Sequence, residues 1–212
     1  MFRMPRPYKV PAAGTIEYTY VVIPTGFKED RWVRLAEVRP GSRSVVHHVI
    51  AWQREAGSVW MKDAIPGEPY VPAKSPTDPS NSRGRGEYIA GYVPGRQPAS
   101  LAPGQARLLK AGADIVLQLH YTTTGKATDD QTSVGLIFSE EAPRQRVFTR
   151  AIAAYGLVIP PNTDNYAVTS SLTFRDEAEI VAMWPHMHVR GKTFRYEVTQ
   201  PGKERRALLN VP

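Results

Sequence analysis

The residues with the most chemical potential in this sequence are its five histidines, and they fall in only three places. His47 and His48 are adjacent within Val45-Val-His-His-Val-Ile50, His120 ends the run Leu117-Gln-Leu-His120, and His186 and His188 form Pro185-His-Met-His188. Imidazole is the commonest protein ligand for transition metals of middling softness. The chain has no cysteine, so any site is thiolate-free, a donor set that suits copper, zinc, iron or nickel. The same absence excludes a disulfide scaffold, a thiolate-held iron–sulfur or zinc site and a cysteine nucleophile.

Spacing sharpens the assignment. Side chains at i and i+2 of a strand project from one face, so His186 and His188 can hold one ion while Met187 points away. Neighbours such as His47 and His48 ordinarily face opposite sides of a sheet. Both reach one ion only if the strand carries a bulge or a strong local twist. His120, from a separate apolar run, would then complete a three-nitrogen site. A lone histidine is more often a hydrogen-bonded core residue, but all five lie in or beside strand-like segments with none left in a polar loop. That joint pattern favours metal.

Other chemistry lacks support. There is no His-Glu-x-x-His, Gly-x-Ser-x-Gly, phosphate-binding loop or dinucleotide-binding glycine motif. Asp129-Asp130 and Glu140-Glu141 read as solvated turn carboxylates. Tyr121 and Trp184 read as packing residues beside the histidines, and Met61 and Met183 as core filler.

The elements that must position these groups read as strands. Alternating or β-branched runs cover 14–22, 31–38, 44–52, 113–121 and 133–138, then 146–159, 166–174 and 179–184. Segments 194–199 and 207–211 should pair as a hairpin across Gln200-Pro-Gly-Lys203. Eight prolines between Ile65 and Pro103 interrupt any ladder and mark a long functional loop. With 16 glycines, 19 prolines and no sustained helical period, the chain is expected to be all-β. No apolar run approaches the roughly 20 residues of a membrane-crossing helix. The opening Met1-Phe-Arg-Met-Pro-Arg-Pro7 lacks the apolar core of a secretory signal. The net charge of +7 is spread singly or in pairs, an ordinary basic surface with no nucleic-acid signature.

Taken together, Val-Val-His47-His48-Val-Ile, Leu-Gln-Leu-His120-Tyr and Pro-His186-Met-His188-Val-Arg-Gly-Lys resemble the copper type II, ascorbate-dependent monooxygenases. Peptidylglycine α-hydroxylating monooxygenase and dopamine β-monooxygenase belong to that family, and the likeness is to its bacterial members. The blocks occur in the family's order, and the resemblance runs from about Val10 to the C-terminus. It implies two jelly-roll-like antiparallel β-sandwich domains, a first copper domain over 10–143 and the N-terminal part of a second over 144–212. His47, His48 and His120 match the copper that relays electrons. His186 and His188 match two ligands of the copper at which dioxygen and a substrate C–H bond react, and so stand as the catalytic pair.

The family's third ligand there is a methionine further downstream, expected beyond residue 212, so a fragment of weak or no activity is expected. The implied reaction takes two electrons, one at a time, from ascorbate or another one-electron donor, with a cytochrome-like protein as a possible partner. The resemblance further implies a small or peptide-like substrate, a hydroxylated product with water, and a periplasmic or extracellular compartment. Two other readings remain at this stage: a non-catalytic β-sandwich binding module using the 65–103 loop, and a histidine-only copper- or zinc-binding protein without turnover.

Overall fold

The computed structural model describes residues 1–73, 86–95, 98, 100–154, 157–187 and 190–212. They contain no helix, and their strands run, in chain order, β1 (Phe2–Arg3), β2 (Tyr8–Val10), β3 (Thr19–Pro24), β4 (Arg31–Arg39) and β5 (Val46–Arg54). Next come β6 (Pro69–Tyr70), β7 (Tyr88–Tyr92), β8 (Gln105–Leu109), β9 (Asp114–Tyr121) and β10 (Thr128–Asp130). The last four are β11 (Ser133–Phe138), β12 (Gln145–Arg146), β13 (Phe194–Val198) and β14 (Arg206–Val211). The chain is all-β, as its composition implies.

Two compact units divide it, Met1–Ser170 and Ser171–Pro212. In the first, β1, β11, β4, β8 and β12 form one five-stranded sheet in that order, and β6, β3, β9, β5 and β7 form another. A short ribbon joins β2 and β10. Pairing is antiparallel except where β12 lies parallel to β8. Apolar residues from both large sheets share one buried cluster, including Val33, Val38, Leu109 and Val134 from one and Val21, Val49, Ile115, Leu117 and Leu119 from the other. That shared interior makes the first unit a β-sandwich.

Period-2 alternation assigns the two faces of the second sheet. Ile115, Leu117 and Leu119 point into the sandwich. Val116 points outward, into a smaller buried cluster with Tyr20, Val22, Trp60, Met61 and Ala64. Gln118 and His120 continue that outer row. Met61 sits in the left-handed region at φ 56°, and its carbonyl accepts from Arg54 Nη1 (2.7 Å) and from the Ala64 amide (3.2 Å). The strained turn therefore ties the outer cluster to β5.

The pairing of β5 with β9 is pinned at both ends. At one end Arg54 stands opposite Asp114 in register, and its Nη2 lies 2.6 Å from Asp114 Oδ2, both side chains being mostly buried. At the other end Asp130, fully buried, accepts from three segments. The donors are the Ser42 amide (2.8 Å), Tyr121 Oη (2.9 Å) and Thr132 Oγ1 (2.8 Å). Tyr8 stacks flat on Tyr121, ring centroids 4.8 Å apart. The sequence reading of Asp129-Asp130 as a solvated pair therefore holds only for exposed Asp129. Burying Asp130 is tolerated because each lobe of the carboxylate is hydrogen-bonded.

Several expected strands differ. The run 14–22 becomes a strand only from Thr19, and 44–52 only from Val46, with burial that alternates along it. Segments 146–159, 166–174 and 179–184 have strand-like alternation, yet beyond Arg146 their described residues are not strand and are largely exposed. A strand needs a neighbour for its backbone groups; the Val147 amide still donates to Ala106 O of β8 at 2.8 Å, but no strand pairing continues beyond it among the described residues of these segments. The Pro-rich 65–103 stretch instead supplies β6 and β7, the two edges of the second sheet, while residues 74–85 lie outside the described residues. Gly86 permits this: a Cβ there would lie 1.2 Å from the Gln53 carbonyl oxygen, where the chain passes close enough for Gln53 N to donate to Glu87 O at 2.7 Å.

The second unit's described strands are the expected hairpin, β13 against β14. Its turn closes through the Lys203 amide donating to Gln200 O at 3.0 Å.

Asp130→Ala removes the common acceptor of three buried or half-buried donors. It is expected to cost about 3 kcal/mol in urea denaturation, with Tyr121→Phe costing about 1 kcal/mol. A loss below about 0.5 kcal/mol for Asp130→Ala would show that the carboxylate does not brace the strand ends.

Candidate metal centre

His48 and His120 face each other across the β5–β9 ladder, and the register slips by one residue between Val46 and His48. That slip is a bulge with His47 as the extra residue. Its effect is visible in burial: Val46 and Val49 are both inside the sandwich, at 2% and 0% exposure, although they are three residues apart. An unbroken strand would put them on opposite faces. With one residue added, His47 and His48 both turn outward, the side on which His120 also lies. The expected condition for an adjacent pair to share an ion is met by the backbone.

The three imidazoles consequently converge. Ring centroids are 5.5 Å apart for His47 and His48, and 4.9 Å from each of these to His120. One ligand-competent atom from each residue can be chosen so that all lie within 4.8 Å of one another. The Nδ1 atoms of His47 and His48 are 3.2 Å apart. Two unprotonated nitrogens would repel at that separation, so without an ion one Nδ1–H must donate to the other. His47 is exposed, while His48 and His120 are half-buried.

Electrostatics favour an uncharged His120. Burial pushes the His120 pKa below the ordinary imidazole value, and the neighbouring His47 lowers it further. Its Nδ1 is buried and has no hydrogen-bond partner. Burying a nitrogen without a partner is costly, and a metal ion is the kind of partner that would satisfy it. Three converging imidazoles, an orphaned buried nitrogen and a thiolate-free set fit a transition metal such as copper or zinc.

Tyr18 is the neighbour that sequence reasoning missed. Its ring lies 4.7 Å from His120 and 5.7 Å from His48, centroid to centroid, tilted 36° and 43°. Burial raises its phenol pKa, and nearby Tyr20 adds to the rise. Period-2 alternation along 14–22 sets Tyr18 and Tyr20 on one face, but only the β3–β9 register, in which Thr19 pairs with Leu119, sets that face beside the histidines.

His186 lies in a non-strand, exposed segment of the second unit, and His188 lies outside the described residues. Trp184 is 45% exposed rather than packed, and Tyr196 Oη donates to its carbonyl oxygen at 3.2 Å. Met61 fills the outer apolar cluster, whereas Met183 is exposed. Tyr121 packs, as expected, against Tyr8.

No protein-family model matches the chain, and no curated protein matches it. Among the described residues no helix is long and apolar enough to cross a membrane.

The His120 environment makes a titration prediction. In the metal-free chain its imidazole should take up its proton below pH 6.5, the ordinary value, as followed by NMR of the ring carbons. Because the fold disfavours the charged ring, the unfolded chain binds more protons there. This residue's contribution to stability is therefore present above pH 6.5 and lost as pH falls through the folded pKa. A midpoint above 6.5 would contradict the desolvated placement.

Proposed function

We propose that this chain is a copper protein that relays electrons through the His47–His48–His120 cluster, as part of a copper type II, ascorbate-dependent monooxygenase. One observation carries the reading: three imidazoles from two strands converge through a bulge, and one of their buried nitrogens has no partner. The motif order supplies the family; the cluster supplies the site.

His47, His48 and His120 would hold the ion. Bound copper supplies a one-electron couple that neutral imidazoles tolerate in both oxidation states. His120 arrives desolvated and biased towards its neutral form, so at neutral pH it has no proton to lose before ligating. The backbone bulge directs two of the three rings to one side before any ion arrives, which would limit the reorganisation that a change of oxidation state demands. Exposed His47 gives the cluster a solvent-facing edge that ascorbate or a cytochrome-like donor could approach.

In the same reading His186 and His188 are the catalytic pair. They would hold a second copper, at which a C–H bond of a small or peptide-like substrate is hydroxylated with dioxygen. Jelly-roll connectivity and a periplasmic or extracellular location also belong to this reading.

The test is copper loading followed by reduction. The full chain should bind Cu(II) at the cluster and give an electron paramagnetic resonance signal that ascorbate bleaches. His120→Ala should weaken binding there by more than about 100-fold, beyond the 10–100-fold usual for groups that only support a ligand. A signal that persists in excess ascorbate would favour a storage or structural metal site, and unchanged binding in His120→Ala would remove the cluster from the account.

A further inference from the structure

Tyr18 has a placement that the electron-relay reading does not itself require. It lies one residue before β3, next to the Thr19–Leu119 pair, and so falls across from His120 on the outer face of the second sheet. Its ring contacts two of the three imidazoles, at 4.7 Å and 5.7 Å between centroids. Tyr20, two residues further on, instead packs edge-on against Trp60 and takes a hydrogen bond from Gln118.

An aromatic ring tilted over an imidazole does two things. It limits rotation of the imidazole about its last side-chain bond, and it occupies volume that water would otherwise fill. The apolar shell around a metal controls solvent access and, through it, affinity and redox behaviour. Tyr18 is 40% exposed, so its other edge meets solvent, which is where a cover differs from a core residue. Exposed His47, by contrast, forms the cluster's open edge.

We propose that Tyr18 is a positioning residue of the metal centre: its ring face fixes the planes of His48 and His120 and keeps added ligands off the ion on that side. The inference rests on the copper reading above and concerns which chain group sets the coordination number. The ring matters and the hydroxyl does not. Tyr18 thereby directs this site towards electron transfer without inner-sphere chemistry.

The experiment uses the full chain with His186→Ala and His188→Ala, which leaves copper only the cluster. It measures Cu(I) affinity by competition with a chromophoric chelator, and azide binding to the Cu(II) form by electron paramagnetic resonance. Tyr18→Ala should bind Cu(I) about tenfold more weakly and azide about tenfold more tightly, within the range seen for groups surrounding metal ligands. Tyr18→Phe should stay within about twofold of the parent on both readouts. Tyr18→Ala values equal to the parent's would overturn the inference while leaving the copper reading intact. So would a Tyr18→Phe variant that changes as much as Tyr18→Ala. A parent chain that takes up no copper at the cluster would end both.

Discussion

A single extra residue in β5 is the constraint on which the site depends. Without the slip between Val46 and His48, one of the two adjacent histidines would point into the sandwich, where Val46 and Val49 now sit. Imidazole in that apolar interior would be an unpaired polar group of several kcal/mol. With the slip, the valines keep the core continuous and both rings emerge on the side where His120 stands. Core packing and site assembly are therefore the same event, because the hydrophobic demand of residues 46 and 49 sets the direction of residues 47 and 48.

A bulge is useful only if the ladder around it cannot slide. The Arg54–Asp114 pair at one end and the Asp130 hydrogen-bond cluster at the other hold β5 and β9 in one register. Asp130 links the turn before β5, the residue after His120 and the segment leading into β11, so the two ligand-bearing strand ends share a brace. Between these anchors the inward residues of β9 are almost wholly buried, and slipping them by one would turn every one of them out of the sandwich. The cluster sits on the outer face, past the end of the Trp60–Met61 apolar patch, where protein covers the rings only in part.

Much of this was legible in the residues. The runs 31–38, 113–121 and 133–138 are strands within a residue or so, because each has β-branched or apolar alternation and a turn signal at its end. The final hairpin was marked by Pro201-Gly202. The need for a bulge followed from two histidines in a row, since no regular strand can show both on one face. What could not be read was anything set by partners distant in the chain. Asp130 looked solvated because its donors, Ser42 and Tyr121, come from elsewhere. The edge strands β6 and β7 hid among prolines and glycines, their pairing fixed by the sheet they join rather than by propensity. Segments 146–159, 166–174 and 179–184 failed in the opposite sense: they alternate convincingly, but beyond Val147 their described residues pair with no neighbouring strand. Tyr18 was placed on the correct face of its strand, but register alone reveals which residues share that face.

The donor set narrows the chemistry further than the fold does. Three imidazoles without thiolate or carboxylate carry no negative charge, so they would hold copper without strongly favouring the divalent state. X-ray absorption at the copper edge, on the chain loaded with one equivalent, tests this most directly. The account predicts a first shell dominated by nitrogen, with the outer-shell scattering of three imidazole rings, reduced to two by His120→Ala. A shell of oxygen ligands, or an imidazole count that ignores the loss of His120, would contradict it.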